Sequence, residues 1–334
     1  MRVLILYNVA TALKKGDEQD LICEQEILII VPLVVSLLKL KGYDVETLET
    51  SYSLWEKLKA RKGSFDIVLN MAEAFGGGNN NEVLIPMMLE ALDIPFTGAS
   101  AHNMSLTLDK AQTKLIALAN GIPTPRYQIF RKENEVLQSG LTFPLIVKPI
   151  REEASIGIWL DSVVHDIESL ERKVRDTLRL YRQPAVVETF VLGREISVGV
   201  VGNDNDLHVL SPLEFLFKGA ETPFEKIRSY EYKWGGKQEQ MVKVELSSIF
   251  VERLGEYTKR MFTATECRDY ARMDFRIRED GEVFLLEVNY NPGIGPNTHG
   301  LNNTLTKMAS FEGCGFEDLV ERILVAAMRR ERLM

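Results

Sequence analysis

Two tripeptides near the end of this chain carry the side chains best suited to chemistry, Arg272-Met273-Asp274 and Glu287-Val288-Asn289. Each lies in a β-rich run, Ala271 to Arg278 and Val283 to Asn289, and Glu279-Asp280-Gly281 between them is a turn signal. The spacing therefore predicts a hairpin. Side chains alternate along a strand, so Arg272 and Asp274 share one face of the first strand, and Glu287 and Asn289 share one face of the second. Paired around the short turn, these would bring oxygen donors and a guanidinium onto one surface. Hard divalent cations take such ligands, and magnesium commonly keeps positions open for substrate phosphates. The other reading is the solvated polar face of a hairpin. The apolar Phe284-Leu285-Leu286 and the tight turn Asn291-Pro292-Gly293 weigh against that reading.

Other residues offer phosphate and nucleotide contacts, each with a plainer alternative. Lys148 ends the strand-like Leu145-Ile146-Val147 and is fixed by Pro149, while Lys110 opens a helix. Either ammonium could meet phosphate as a point charge, or be one of the many lysines that simply face solvent. Glu153-Ala154-Ser155-Ile156-Gly157 could fold its backbone amides over phosphate. Glu188-Thr189-Phe190-Val191 with Glu195 could form an edge that reads a base, or a core strand leaving its sheet.

The elements that must position these groups fall into three stretches. The first alternates strand and helix: Val3 to Tyr7, Glu24 to Lys41, Asp44 to Leu48, Leu54 to Ala60, Asp66 to Asn70, and Glu82 to Leu92 before Ile94-Pro95-Phe96-Thr97. Such alternation implies a helix-covered parallel sheet with ligands at the C-terminal ends of its strands. Gly76 to Asn81 lies at one such end, as a plain loop or a substrate-facing one. The second stretch reads as a small α+β unit: a helix from Lys110 to Ala119, strands from Phe143 to Pro149 and Ile156 to Leu160, and a charged helix from His165 to Tyr181. The third has strands at Ala185 to Phe190, Glu195 to Val201 and His208 to Phe215, a polar segment from Lys218 to Gln240, and a helix near Ser248 to Thr263. The hairpin follows, then an amphipathic helix from Phe316 to Arg330.

Composition narrows the classes. At 334 residues the chain fits two or three compact units, and 45% apolar with 26% charged residues is ordinary for a folded globular protein. A net charge of −8 argues against a broad nucleic-acid surface, though a local basic pocket for a small anion remains open. The longest apolar run, Ile27 to Leu38, contains Pro32 and falls short of the ~18 to 20 residues that span a bilayer. The N-terminus reads as a strand, not a signal peptide. Cys23, Cys267 and Cys314 show neither metal spacing nor a disulfide framework, as expected of reduced thiols in the cytoplasm.

Taken in order, the motifs resemble the ATP-grasp superfamily, specifically its D-alanine–D-alanine ligase-like branch. The matching stretches are Pro95-Phe96-Thr97-Gly98, Asp109-Lys110 with Lys114, Ile146 to Pro149 with Arg151-Glu152, Glu188 to Glu195, Arg272-Met273-Asp274, and Leu286 to Asn289 with Asn291-Pro292-Gly293. The resemblance implies mixed α/β and α+β architecture: an N-terminal parallel-sheet domain over residues 1–102, a central ATP-grasp subdomain over 103–187, and a C-terminal subdomain carrying the metal site over 188–334. It implies that Lys110 and Lys148 bind phosphate and that Glu188, Val191 and Glu195 surround adenine and ribose. Ser155 and Lys233 join the ATP contacts, and Asp274, Glu287 and Asn289 ligate magnesium or manganese. Arg272 would stabilise a tetrahedral intermediate. Glu26 would hold the ammonium of the first amino acid, or else simply face a helix dipole. The implied reaction joins a carboxylate to an amine through an acyl phosphate, with Lys218 to Gln240 as a lid. The implied partners are small carboxylate and amine substrates, with neither nucleic acid nor membrane. The family is also commonly dimeric.

The departures from the family pattern cluster on the amino-acid side. Ala154 stands where the family keeps a serine, and Trp234 where it keeps a lid tyrosine. Ile294 to Leu301 replaces a shorter serine-containing turn, with Gly300 at the place of that serine. His299 could meet a substrate carboxylate or phosphate, or be a hydrogen-bonded turn histidine. A site that loses a hydrogen-bonding group changes its substrate, so the expectation is a carboxylate–amine ligase of altered specificity. The alternatives are a D-alanine–D-alanine ligase proper and a non-catalytic nucleotide-binding regulatory protein, for which Arg272 would have no use.

Overall fold

The computed structural model describes residues 1–10, 15–18, 26–75, 81–296 and 303–334. The chain begins with β1 (Arg2–Tyr7), α1 (Ile27–Leu40), β2 (Asp44–Glu49), α2 (Leu54–Arg61), β3 (Ile67–Asn70) and α3 (Leu84–Ala91). These form a parallel sheet in the order β2-β1-β3, which a parallel bridge from Val68 to Phe96 extends. Both faces are covered, as a parallel sheet requires. Leu4 and Leu6 pack with Leu54, Leu58, Ile85 and Leu89 on one side, and Val3 and Ile5 pack with Val34 and Leu38 of α1 on the other.

Next come α4 (Ala101–Leu108) and α5 (Lys110–Ala119), joined by Asp109, whose side chain accepts from the N–H groups of Ala111 and Gln112 and caps α5. The second sheet contains β4 (Tyr127–Phe130), β5 (Leu145–Pro149), β6 (Val163–Val164) and β7 (Ala185–Thr189), antiparallel in the order β4-β7-β5-β6, with α6 (Ile167–Leu180) packed on β5. All of β7, through Thr189, pairs in this sheet. The third sheet holds β8 (Arg194–Val201), β9 (His208–Val209), β10 (Leu213–Phe217), β11 (Glu239–Lys243), β12 (Tyr270–Ile277) and β13 (Val283–Asn289), in the order β11-β10-β8-β12-β13 with β9 on β8. Short helix α7 (Tyr230–Lys233) precedes β11, and α8 (Ser248–Ala264) precedes β12; α9 (Thr304–Ser310) and α10 (Phe316–Arg330) close the chain. Leu305, Met308, Leu319 and Ile323 of α9 and α10 share a core with Val3, Ile5 and Ile67 of the first sheet, which ties the chain's two ends together.

Two expected strands change. His208 to Phe215 is two strands, because Pro212 has no N–H to continue the ladder. Ile156 to Leu160 is not a strand at all. Ala154, Ser155 and Gly157 all have positive φ (55°, 65° and 75°), and Ile156 and Ile158 close turns on Glu153 and Ser155. The apolar side chains that look β-like instead pack Ile156 against Tyr181, Tyr230 and Trp234. No helix among the described residues is long and apolar enough to cross a membrane.

Candidate active site

The hairpin forms as its spacing predicts, with Arg272 opposite Asn289 and Asp274 opposite Glu287. A bulge after Asp274 then shifts the register, so that Phe275 faces Leu285. Such an extra residue re-aims its neighbours, and Leu286 and Glu287 both line the cleft while Leu285 stays in the core. Asp274 is the hub of this face. It accepts two bonds from Arg272 (Nε and Nη2, each 2.9 Å), one from Asn289 Nδ2 (2.9 Å) and one from Ser197 Oγ (2.5 Å). Burial would raise the Asp274 pKa, but the Arg272 guanidinium outweighs it and holds the carboxyl below the usual carboxylate range.

Glu287 faces Lys110 at 3.3 Å, and the Lys110 ammonium also donates to the Glu152 carbonyl. Burial would lower the Lys110 pKa, but Glu287 and Glu153 hold it above the ordinary lysine value. Lys114, one turn further along α5 and 1% exposed, lies 3.1 Å from Glu188 Oε1, while Lys148 lies 3.2 Å from Oε2. Glu188 is thus the counter-ion between two lysines. The pair overcomes burial and keeps its pKa low. Lys114 itself is pushed down by burial despite Glu188. Residues 110 and 114 share a helix face by their spacing, which is the signal by which Lys114 could have been placed with Lys110.

These groups border a cleft of about 770 Å3 whose lining includes Lys148, Ser155, Glu188, Val191, Glu195, Lys233, Arg272, Asp274 and Glu287. Its apolar lining includes Ile146, Ile158, Phe190 and Leu286, side chains of the kind that take the faces of a flat ring. Arg276, which the sequence did not single out, holds this edge. It is 3% exposed, donates to the Val191 carbonyl at 2.7 Å, to Glu195 at 3.0 Å and to the Lys226 carbonyl, and lies over the Phe190 ring at 4.9 Å. Glu195 nonetheless keeps a pKa above the ordinary glutamate value, because burial exceeds the help from Arg276.

A second cleft of about 1060 Å3 adjoins the first, sharing Glu152, Glu153, Ala154, Arg228, Lys233 and Arg272 with it. Glu26, Trp234 and Asn289 open into it, together with Glu73, Glu82 and Tyr290. The buried Oε1 of Glu26 has no hydrogen-bond partner among the described residues, and Oε2 has only Asn303 at 3.4 Å. An unpartnered buried carboxylate oxygen is the fitting counterpart of an ammonium. Burial pushes Glu153 up to about 7, against the pull of Lys110.

The 218–240 segment lies across the junction of the clefts. Trp234 Nε1 donates to the Ala154 carbonyl (3.0 Å), Tyr230 N to Ile158 O (2.7 Å) and Ser155 Oγ to Arg228 O (2.8 Å). The Trp159 and Tyr230 rings sit 4.4 Å apart. His299 and Gly300 lie outside the described residues.

As to a metal, no group of three or more histidine, cysteine, aspartate or glutamate side chains gathers as a cluster among the described residues. The candidate set is two carboxylates and one amide on adjacent strands, all oxygen donors of the kind a hard cation takes. In the structure Arg272 and Lys110 balance those carboxylates. The donor chemistry fits magnesium with an incomplete protein shell.

The family model described as "D-ala D-ala ligase C-terminus" matches residues 116–325. A D-alanine–D-alanine ligase of Carboxydothermus hydrogenoformans is 32% identical over 304 residues, covering 88% of this chain and 90% of that protein. A Sinorhizobium fredii protein described as uncharacterized protein y4sG is 33% identical over 266 residues, 79% of this chain and 75% of its own length. The crystal structure of a Bacillus anthracis D-alanine–D-alanine ligase complexed with ATP superposes with a TM-score of 0.75 at 20% identity, covering 100% of this chain and 99% of that one. It shares the fold.

Proposed function

We infer the reaction from the family these matches assign: the chain belongs to the D-alanine–D-alanine ligase-like ATP-grasp enzymes. It is an ATP-dependent ligase that joins a carboxylate to an amine. The roles of individual residues and the choice of substrate are our proposal. The observation that carries it is the shared wall. Arg272 borders both clefts, one edged by lysines and apolar side chains, the other by Glu26, whose Oε1 has no hydrogen-bond partner among the described residues.

In this reading Lys110 and Lys148 meet the phosphates, with the buried Lys114 behind them on Glu188, Val191 borders the base, and Glu195 meets the ribose. Ser155 and Lys233 close over the nucleotide from the loop and the lid. Asp274, Glu287 and Asn289 would hold magnesium or manganese, which supplies neutralisation of phosphate charge. The carboxylate of the first substrate, its ammonium on Glu26, attacks the γ-phosphoryl group in line and gives an acyl phosphate and ADP. The amine of the second then attacks the acyl carbon, and phosphate leaves. Arg272 donates to the oxyanion between, a contact of roughly 3 to 4 kcal/mol in comparable sites. The docked 218–240 segment excludes water, which would otherwise hydrolyse the acyl phosphate. Because ATP is the energy source, we place the work in the cytoplasm.

The substrates we propose are amino-acid or peptide-like carboxylates and amino-acid amines. Trp234 bonded to the backbone carbonyl of Ala154 favours a pair other than two D-alanines. The ligase names of the relatives favour D-alanine itself. Phosphate release across a panel of D- and L-amino acids, alone and in pairs, separates them. Fast turnover with D-alanine alone supports the second reading, and turnover only with other pairs supports the first.

A further inference from the structure

The amine half of a ligation has a requirement that the residues above leave unmet. An amino-acid amine arrives as an ammonium and attacks only after losing a proton. At the lid the facing side chains are an indole and a methyl group, Trp234 and Ala154, and neither has a basic atom. Lys233 and Arg272 are cations. The carboxylates of the cleft are therefore the acceptors to consider. Glu152 is ion-paired with Lys15 and accepts from Gln183. Glu153 is held between Lys110 and Glu287, beside the proposed metal ligands. Glu26 is suited to the first substrate's ammonium, and Glu82 has an interaction of its own.

Glu73 stands apart. It lies just beyond the C-terminal end of β3, the end of a parallel sheet where ligands are met. Its backbone is fixed by a 2.7 Å bond from its N–H to Asn8 Oδ1. Its side chain is exposed and opens into the cleft that Arg272 and Asn289 also line. Tyr290, 3% exposed, borders the same space, and its hydroxyl makes no well-aligned hydrogen bond there.

We propose, resting on the ligase reading above, that Glu73 is the proton acceptor for the attacking amine. The Glu73 carboxylate takes one proton from the ammonium, and the freed nitrogen pair forms the C–N bond. The C–O bond to phosphate breaks, phosphate leaves with that electron pair, and it carries off the second nitrogen proton as hydrogen phosphate. The charged and titratable groups facing Glu73 are Glu26 at the start of α1, Lys233 of the lid, Glu153 of the loop, Arg272 and Tyr270 of the third sheet, and Tyr290 just past β13. Glu73 is exposed at the cleft surface, so of the two influences that push its pKa upward, desolvation within the cleft and repulsion from Glu26, the first is weakened by solvent, with Lys233 opposing both. A carboxylate poised near the working pH is an effective acceptor.

The test compares wild type with Glu73→Gln in ATP, magnesium and a mixed pool of D- and L-amino acids, with amides counted by mass spectrometry. A parallel arm adds hydroxylamine, a nucleophile already unprotonated at neutral pH. Glu73→Gln is expected to lower amide formation by about 100-fold or more while hydroxamate formation is kept, showing an intact fold and acyl-phosphate step. The fall in amide rate on acidification should vanish in that variant, and Glu73→Asp should recover part of the rate. Equal loss of amide and hydroxamate, or an unchanged amide rate, overturns the role of Glu73. Wild type giving neither product overturns the ligase reading instead.

Discussion

Replacing Arg276 by methionine tests how the nucleotide edge is built. The guanidinium is 3% exposed and binds the Val191 carbonyl at 2.7 Å, Glu195 at 3.0 Å and the Lys226 carbonyl. Breaking a buried ion pair from one side costs about 3–5 kcal/mol, because the remaining charge is stranded. Glu195 softens this, since burial already holds its pKa above the ordinary value and it can take up a proton. The expected loss is about 2–4 kcal/mol, read as a lower urea midpoint at unchanged slope. A carboxyl whose folded pKa lies above its unfolded one favours the folded state at low pH, and that advantage is lost as pH rises through the folded value. Without Arg276 this pKa rises further, so the deficit of Arg276→Met should grow from acid to neutral pH. Val191 and Glu195 also lose their anchor, and the KM for ATP should rise about 10-fold, or ~1.4 kcal/mol. Adding Glu195→Gln removes the stranded charge and should restore part of the stability but none of the ATP affinity. An unchanged midpoint, or a double variant no more stable than the single one, would refute the reasoning.

Glu188→Gln leaves Lys114 and Lys148 without the carboxylate that lies 3.1 and 3.2 Å from them. Because the folded pKa of Glu188 is lowered, its contribution is fully present above the unfolded value and lost on acidification through the lower folded value; the variant's deficit in urea should therefore hold from neutrality down to pH of about 4 and shrink below it. Trp234→Phe keeps a ring but loses the bond from Nε1 to the Ala154 carbonyl, about 1 kcal/mol of lid docking. Its expected signature is more ATP hydrolysis without amine. Gly157→Ala puts a Cβ 2.4 Å from Pro149 Cγ at a φ of +75°, and should lower the unfolding free energy by about 2 kcal/mol or more.

Much of this site can be read from the chain because its key residues are local. Arg272, Asp274, Glu287 and Asn289 lie on adjacent strands joined by a short turn, so period-two alternation alone puts them on one face. Lys110 announces itself at a helix start behind its Asp109 cap. Other features depend on contacts distant in sequence. Ile156 to Leu160 has strand-like composition, yet its apolar side chains serve a loop docked on Tyr230 and Trp234, some 70 residues on. Arg276 reads as one more charge on a strand until Val191 and Glu195 come alongside it. The bulge after Asp274 has no marker in the pattern, and it accounts for Leu286 lining the cleft beside Glu287. Glu188 is legible as part of a nucleotide edge, but its place between two lysines requires α5 and β5 to converge on β7.

The claim that the two clefts work in sequence through an acyl phosphate is tested most directly by oxygen transfer. The pool of amino acids is labelled with heavy oxygen in the carboxylates, turned over with ATP, and the released phosphate is weighed by mass spectrometry. Attack of the carboxylate on the γ-phosphoryl group, followed by departure of phosphate from the acyl carbon, predicts one labelled oxygen in each phosphate released with product. Phosphate free of label, alongside amide product, would contradict the account.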